Sequence, residues 1–289
     1  MPGVPQRRRF KQVDVFTSVA FLGNPVAVVL DAEGLGAGQM QAIARWTNLS
    51  ETTFVLAPSD PQADYRVRIF SPGGEFAFAG HPTLGTAHAL LEHGLSPRTP
   101  GRLVQECGVG LVPVEIGAGS ALAFRAPPAT LHLLHEAQLP LLAAALQTEA
   151  IEPGFMPLIA RMGIAWLVVR LQSAEACLAL QPRLEPMLQL LGKDITGVAV
   201  FGPHAPGTAV DFEVRCFFNK NGAIAEDPVT GSANACIAWV LRESRGAAGY
   251  VARQGAGVGS DGRIGVTYRD GAPWIGGHSV TVIDGSLSA

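Results

Sequence analysis

Charged residues are scarce in this chain, and neither sign dominates. Asp, Glu, Lys and Arg make up 16% of the 289 residues, and 21 basic against 24 acidic side chains leave a formal net charge of −3. Binding to a nucleic acid or to an acidic membrane surface depends on a strong positive field, so the sequence predicts no nucleic-acid and no membrane partner. A run of about 20 apolar residues, as a membrane-spanning helix needs, is also missing.

Cysteines and metal-ligand patterns are equally sparse. The four cysteines lie far apart and form no CxxC pair, and the seven histidines show no HExxH spacing. The sequence therefore predicts no metal site and disfavours a metal hydrolase. Unpaired cysteines and the lack of an apolar leader segment favour a reduced, cytoplasmic compartment.

Apolar residues, by contrast, are plentiful enough for folded domains. They make up 48% of the chain, which excludes a disordered protein. A chain of this length has room for two ordinary domains.

Strand and helix patterns alternate along the first half. The apolar alternation that starts at Val13 breaks at Leu22-Gly23-Asn24-Pro25 and resumes up to Leu30, which predicts strand, turn and strand. Helical spacing follows over Gly38–Trp46, and another apolar run begins just after Glu51. Glu51 is therefore expected at a helix-to-strand junction.

The second half repeats this order of elements. Val67-Arg68-Ile69-Phe70 resembles Val214-Arg215-Cys216-Phe217, and His81-Pro82-Thr83 resembles Asp227-Pro228-Val229, each pair about half the chain apart. A strand, a turn and a helix surround both pairs, which indicates duplication of one α/β unit. On this alignment His81 and Asp227 occupy matching places. Chance similarity is the alternative, because strand–turn–helix segments share Gly and Pro punctuation.

The boundary between the halves is predicted between Ile116 and Pro128. Gly117-Ala118-Gly119-Ser120 interrupts the chain there, and Pro127-Pro128 marks a further extended turn. We expect an N-terminal domain over residues 1–122 and a C-terminal domain over residues 123–289. The pattern leaves open which half the last strands join.

Two glycines stand where predicted helices begin. Free backbone N–H groups and the positive end of the helix dipole attract a carboxylate at such places, so Gly80 and Gly231 indicate binding of a small anion. The alternative is that both glycines only form turns. Apolar neighbours of Glu51 would desolvate its carboxylate and favour a general base, whereas an exposed junction residue would have no such role.

The remaining polar candidates each have a structural alternative. A single histidine such as His81 is more often a structural hydrogen-bonding residue than a catalyst, and an Asp before Pro, as at Asp227-Pro228, commonly forms a turn. Ser232 fits either a helix cap or a substrate contact.

Three motifs in the chain resemble signatures of one family, the PhzF-like phenazine-biosynthesis isomerases. They are Asn48-Leu49-Ser50-Glu51-Thr52-Thr53-Phe54, Ala79-Gly80-His81-Pro82-Thr83-Leu84-Gly85 and Glu226-Asp227-Pro228-Val229-Thr230-Gly231-Ser232-Ala233, with Gly23-Asn24-Pro25 before them. The resemblance implies an α/β (α+β) fold of two pseudo-symmetric diaminopimelate-epimerase-like domains. Each would be a mixed sheet wrapped around a central helix, with the active site in the interdomain cleft.

The same resemblance implies a cofactor-independent isomerase that transfers a proton on a small carboxylate, and a homodimer. The phenazine-pathway member isomerises a dihydro-hydroxyanthranilate. The residues assigned to catalysis are Glu51, Asp227 and His81, and those assigned to substrate binding are Asn24, Gly80, Pro82, Thr83, Thr230, Gly231 and Ser232, with no metal.

Differences from the motifs of related enzyme families reduce the number of functions that the sequence allows. Two-thiol epimerases use paired cysteines where this chain has Ala79 and the region of Asp227-Pro228, which disfavours a two-thiol racemase. The segment Gln254-Gly255-Ala256-Gly257-Val258-Gly259-Ser260 resembles a glycine segment of the family but has Ser260 where we expect an arginine. That segment lacks the βαβ context of a dinucleotide site. An epimerase of an amino-acid derivative and a non-catalytic metabolite-binding protein remain as alternatives.

Overall fold

The computed structural model describes residues 6–289, and the chain divides into two compact units. The first consists of the residues up to Arg125 together with Gly276–Ala289, and the second of Ala126–Ile275. Within residues 6–289, no helix has both the length and the apolar character needed to cross a membrane.

The first unit contains a mixed sheet and two helices. Its elements are β1 (Arg7–Val15), β2 (Asn24–Val29), α1 (Ala37–Thr47), β3 (Glu51–Leu56), β4 (Tyr65–Ser71), β5 (Gly74–Phe76), α2 (Gly80–Glu92), β6 (Arg102–Cys107), β7 (Gly110–Ile116) and β8 (Leu122–Arg125). The pairs β1–β2, β3–β4, β4–β5, β6–β7 and β7–β8 are antiparallel, while β2–β3 and β4–β6 are parallel.

The second unit has the same mixture of strands and helices. Its elements are β9 (Thr130–Leu133), α3 (Leu139–Leu146), β10 (Leu158–Arg161), β11 (Ala165–Arg170), α4 (Ala174–Leu178), α5 (Leu184–Leu191), β12 (Gly197–Pro203), β13 (Phe212–Lys220), β14 (Ala223–Asp227), α6 (Gly231–Arg245), β15 (Tyr250–Gln254), β16 (Gly262–Arg269) and β17 (Ala272–Gly277). The last strand, β18 (Ser279–Ser288), returns to the first unit and pairs antiparallel with β1.

Helix α2 is the centre of the first unit. Ten of its residues are buried, and it contacts β1, β2, β3, β8 and β18. A Cβ added at Gly85 would lie 2.3 Å from Cγ1 of Val26, so the helix approaches β2 as closely as a glycine allows. A helix buried on all sides is a core helix. In the second unit α6 contacts β10, β11, β12 and β16. The predicted fold, a mixed sheet around a central helix in each half, is confirmed.

The order of strand pairings confirms the duplication. From β10 to β16 the pairings run antiparallel, parallel, antiparallel, antiparallel, parallel and antiparallel, as they do from β1 to β7. Side chains repeat as well: Arg68 pairs with Glu75 at 2.6 Å, and Arg215 pairs with Glu226 at 2.7 Å. Each guanidinium also lies over a phenylalanine ring two residues further along its strand.

The expected match of His81 with Asp227 is wrong. In the hairpins, Ile69 faces Phe76 and Cys216 faces Asp227, and each central helix begins four residues later, at Gly80 or Gly231. Asp227 therefore corresponds to Phe76. The β13–β14 hairpin has two more cross-strand pairs than the β4–β5 hairpin and is therefore four residues longer. The positions of Gly and Pro in the sequence do not reveal this difference in length.

Part of the expected linker is a strand. The stretch between Ile116 and Pro128 contains β8, whose Leu122 and Phe124 are buried. Four residues are too few to show a period, so the pattern of the sequence did not reveal this strand.

Candidate active site

Glu51 is the first residue of β3. Helix α1 ends at Thr47, and the left-handed conformation of its C-cap residue Asn48 (φ 54°) redirects the chain. Glu51 then lies beside Val26 of β2 in parallel register. The next two threonines fix the strand, because Thr53 donates a hydrogen bond to the Ala27 carbonyl and Thr52 is hydrogen-bonded to Thr47 at 2.8 Å. The Glu51 side chain is 15% exposed, so solvent reaches little of its carboxylate.

His81 is the second residue of the central helix α2 and lies against Glu51. Its Nε2 is 3.3 Å from Oε2 of Glu51, and its side chain is 7% exposed. Burial lowers the pKa of His81 to about 3, although a hydrogen bond to the Pro25 carbonyl favours the charged form. The nearby positive end of the helix dipole also disfavours an imidazolium. The imidazole is therefore neutral at pH 7.

The tautomer of His81 follows from its two neighbours. Because Nε2 faces Glu51, the proton given to the Pro25 carbonyl is on Nδ1, and Nε2 carries a lone pair. A lone pair and a carboxylate oxygen that face each other form a hydrogen bond only when one proton lies between them. At 3.3 Å the two atoms are in contact but not hydrogen-bonded to each other in this structure.

The start of β2 holds this pair in place. Asn24 is fully buried and lies opposite Val15 of β1, and Pro25 follows it as the acceptor for His81. A Cβ added at Gly23 would lie 2.5 Å from the Val15 carbonyl oxygen, so only glycine fits there.

The other predicted residues at the start of α2 are buried. Gly80 and Pro82 belong to the first helical turn, and Thr83 donates to the Ala79 carbonyl and accepts from Gln105. The Thr83 hydroxyl therefore serves the start of the helix. A direct contact of Thr83 with substrate stays a prediction, as do those of Gly80 and Pro82.

In the second unit, Asp227 belongs to a buried hydrogen-bond network. The Thr230 hydroxyl donates to Oδ2 of Asp227 at 2.5 Å and accepts from Nε2 of Gln254 at 2.8 Å. The Gln254 side chain also accepts from the backbone N–H of Thr230 and from Asn234. This network holds Asp227 at the end of β14. Asp227 is therefore more than a turn former, because its carboxylate is bound by a buried hydroxyl.

Ser232 does not cap its helix. Thr230 is the N-cap residue of α6, Gly231 is the first helical residue, and Oγ of Ser232 accepts a hydrogen bond from Nε1 of Trp166 at 3.1 Å. The capping interpretation is therefore wrong. By its distance from the helix start, Ser232 corresponds to His81 in the first unit.

The structure thus brings the predicted residues together in two groups. Glu51 and His81 are in contact in the first unit, where Asn24 precedes the Pro25 carbonyl that accepts from His81. Asp227, Thr230, Gly231 and Ser232 lie around the start of α6 in the second. Sequence reasoning missed Gln105, Gln254 and Trp166, which hold these groups. All three lie in strands with an apolar or alternating pattern. Such a pattern does not indicate which residue a side chain will contact.

The glycine segment after β15 packs on an ion pair. A Cβ added at Gly257 would lie 2.6 Å from Oε2 of Glu226 and 2.9 Å from a guanidinium nitrogen of Arg215. This close contact explains the glycine without a nucleotide ligand. Ser260 donates its backbone N–H to the Gly255 carbonyl within the same turn.

Comparison with known proteins gives consistent results. A family model described as "Phenazine biosynthesis-like protein" matches residues 13–285. The chain is 37% identical over 246 residues to antisense-enhancing sequence 1 of Schizosaccharomyces pombe, covering 82% of this chain and 81% of that protein. It is 35% identical over 243 residues to the trans-2,3-dihydro-3-hydroxyanthranilate isomerase of Pseudomonas aeruginosa, again covering 82% and 81%.

A solved structure extends the match to nearly the whole chain. The crystal structure of a Bacillus anthracis phenazine biosynthesis protein of the PhzF family superposes with a TM-score of 0.85 at 26% identity. The match covers 98% of this chain and 99% of the other.

Proposed function

Because the chain belongs to the phenazine biosynthesis-like family, we propose that it is an isomerase that moves a proton on a small carboxylate, with Glu51 as the acid/base. Two relatives, 33% and 35% identical to it over the aligned residues, are named isomerases. The observation that carries the proposal is the 3.3 Å contact between Oε2 of Glu51 and Nε2 of a neutral His81.

The proposed reaction is a proton shift between two carbons. The Glu51 carboxylate takes a proton from one carbon, and the electrons of the broken C–H bond form a new double bond as the old one shifts. Glu51 then returns the proton to the far carbon. Because atoms and electrons balance within the substrate, the step involves no oxidant, reductant or cofactor.

His81 sets the state of Glu51 in this scheme. Its Nε2 lone pair accepts the Glu51 proton as a hydrogen bond while the substrate is between its two forms. Since His81 stays neutral, no buried imidazolium forms an ion pair with Glu51. The carboxylate is then available to take the proton of the substrate.

The second group of residues is proposed to hold the substrate. Gly231 and Ser232 offer donors at the positive end of α6, and Gly80 offers the same at α2. Asp227, oriented by Thr230, would bind a hydroxyl or amino group of the substrate. The proposed substrate class is a small, cyclic carboxylate that carries such a group, as in the compound for which the Pseudomonas aeruginosa relative is named.

Solvent exchange of a carbon-bound proton tests Glu51. The protein is incubated with trans-2,3-dihydro-3-hydroxyanthranilate in D₂O, and deuterium incorporation is followed by NMR. Glu51→Gln should lower exchange and turnover at least about 100-fold, the usual contribution of a general acid/base, with binding retained. Glu75→Gln, which alters a partly exposed carboxylate paired with Arg68, is the matched control and should keep full activity. Full exchange in Glu51→Gln would exclude Glu51 as the acid/base.

The same measurement separates the alternatives. Inversion of a stereocentre without movement of a double bond would indicate an epimerase, and binding without exchange would indicate a non-catalytic protein. The residues that cap the two central helices, Ala79 and Thr230, carry no thiol, which disfavours a two-thiol mechanism.

A further inference from the structure

The bond between Trp166 and Ser232 fixes the direction of a hydroxyl group. Indole Nε1 is only ever a donor, so Oγ of Ser232 acts as the acceptor in the 3.1 Å contact. A serine hydroxyl has one proton, and here that proton is left for another acceptor. Ser232 is partly exposed at the second position of α6, so a ligand can reach it.

The indole itself has little freedom to move. Trp166 is 3% exposed on β11 and lies opposite Gly197 of the parallel neighbour β12. A Cβ added at Gly197 would lie 2.6 Å from Cζ3 of Trp166, so the ring fills the space that the missing side chain leaves. Strand register and packing therefore hold Nε1 in the position from which it donates to Oγ of Ser232.

The matching position of the first unit has the same design. His81, also the second residue of its central helix, gives its Nδ1 proton to the Pro25 carbonyl and thereby presents Nε2 as an acceptor. Each helix start thus carries one side chain whose hydrogen-bonding polarity is set by a buried neighbour. The two polarities are opposite, donor at Ser232 and acceptor at His81.

We propose that Trp166 is a positioning residue that makes Ser232 a dedicated hydrogen-bond donor and so selects an anionic oxygen of the substrate. This inference rests on the proposed function, in which Ser232 binds the substrate carboxylate. It adds that Trp166 makes Ser232 bind a hydrogen-bond acceptor and not an amine.

Trp166→Phe removes the indole N–H and keeps an aromatic ring. Without that donor the Ser232 proton can turn to an internal acceptor, and an anion loses a charge-assisted hydrogen bond. We expect the Kd of benzoate, measured by calorimetry, to rise about tenfold. Binding of benzylamine should not weaken.

Trp239→Phe is the matched control. It removes an indole hydrogen bond of 2.8 Å to the Pro127 carbonyl in the same unit, away from Ser232, and should leave benzoate affinity unchanged. A double-mutant cycle excludes a general loss of structure: in a Ser232→Ala background, Trp166→Phe should have no further effect. Equal effects in both backgrounds, or unchanged affinity in Trp166→Phe, would overturn the inference.

Indole resonances provide a measurement that does not depend on the Trp166 variant. The Nε1–H signal of Trp166 should shift in Ser232→Ala and on benzoate titration of the wild-type protein, while that of Trp239 stays in place. If wild-type protein binds benzoate with these shifts but shows no proton exchange, the isomerase proposal fails and the role of Trp166 stands. If wild-type protein does not bind benzoate, Ser232 is no anion site and the inference fails with it.

Discussion

At the scale of single residues, His81 shows how burial decides chemistry. From the sequence it was compatible with a structural hydrogen bond, the commoner role of a single histidine, and with a catalytic role, and the structure gives each ring nitrogen a contact of its own. Nδ1 is bound to the Pro25 carbonyl, and Nε2 is in contact with Glu51. Because the ring is buried, it contributes a lone pair and no charge.

This burial predicts a pH dependence of stability. The pKa of His81 is about 3 in the folded chain and about 6.5 when unfolded, so between these values the unfolded state binds more protons. The contribution of His81 to stability is complete above pH 6.5 and is lost as the pH falls towards 3. Urea denaturation between pH 7 and pH 4 should show a smaller loss of stability for His81→Asn than for the wild type.

His132→Asn, which alters an exposed histidine on β9, is the control for this series and should follow the wild type. Parallel pH curves for wild type and His81→Asn would show that His81 is not the group responsible.

At the scale of elements, the two central helices position the candidate site residues His81 and Ser232. Both begin at a glycine, four residues after the end of a hairpin strand, and both hold the fourth helical residue through a buried glutamine: Gln105 on Thr83 and Gln254 on Asn234. The helix starts are therefore rigid, and the side chains at their second positions are fixed in direction.

The close approach of α2 to the sheet gives a prediction on stability. Gly85→Ala would place Cβ 2.3 Å from Cγ1 of Val26 and 3.0 Å from Cγ2 of Val15. Overpacking of this kind costs about 1–3 kcal/mol, more than alanine gains over glycine in a helix. Gly38→Ala in α1 meets no atom within 4 Å and should stabilise by about 0.5–1 kcal/mol. Midpoints of urea denaturation measure both, and a stabilised Gly85→Ala protein would contradict the close packing.

At the scale of the whole molecule, a duplicated unit has acquired two different sets of polar residues. The pairing order and the arginine–glutamate pairs are kept in both copies, while Glu51 with His81 in one and Asp227 with Ser232 in the other have diverged. The framework is thus common to both copies, and the polar side chains at the second position of the central helices differ between them.

Assembly is a prediction at the same scale. The family resemblance implies a homodimer, and large apolar side chains such as Phe21 and Trp46 are exposed, as at protein interfaces. Size-exclusion chromatography with light scattering should give a particle of two 30.2 kDa chains that dissociates on dilution. A monomer at every concentration would exclude the dimer.

The sequence by itself determined the framework. Apolar periodicity placed α1 and the strands on either side of it, and the motifs around Glu51, His81 and Asp227 indicated the family. Local spacing suffices there, because helix and strand periods and turn residues act over a few neighbours.

Only the tertiary structure decided which side chains meet. Trp166 reaches Ser232 from a strand 66 residues away, and the Pro25 carbonyl reaches His81 from β2, which packs against α2. The true counterparts, Ser232 for His81 and Phe76 for Asp227, became visible only once the longer second hairpin was seen in register. Hydrogen-bond direction, burial and register depend on contacts between distant segments, and one sequence read along its length does not contain those contacts in readable form.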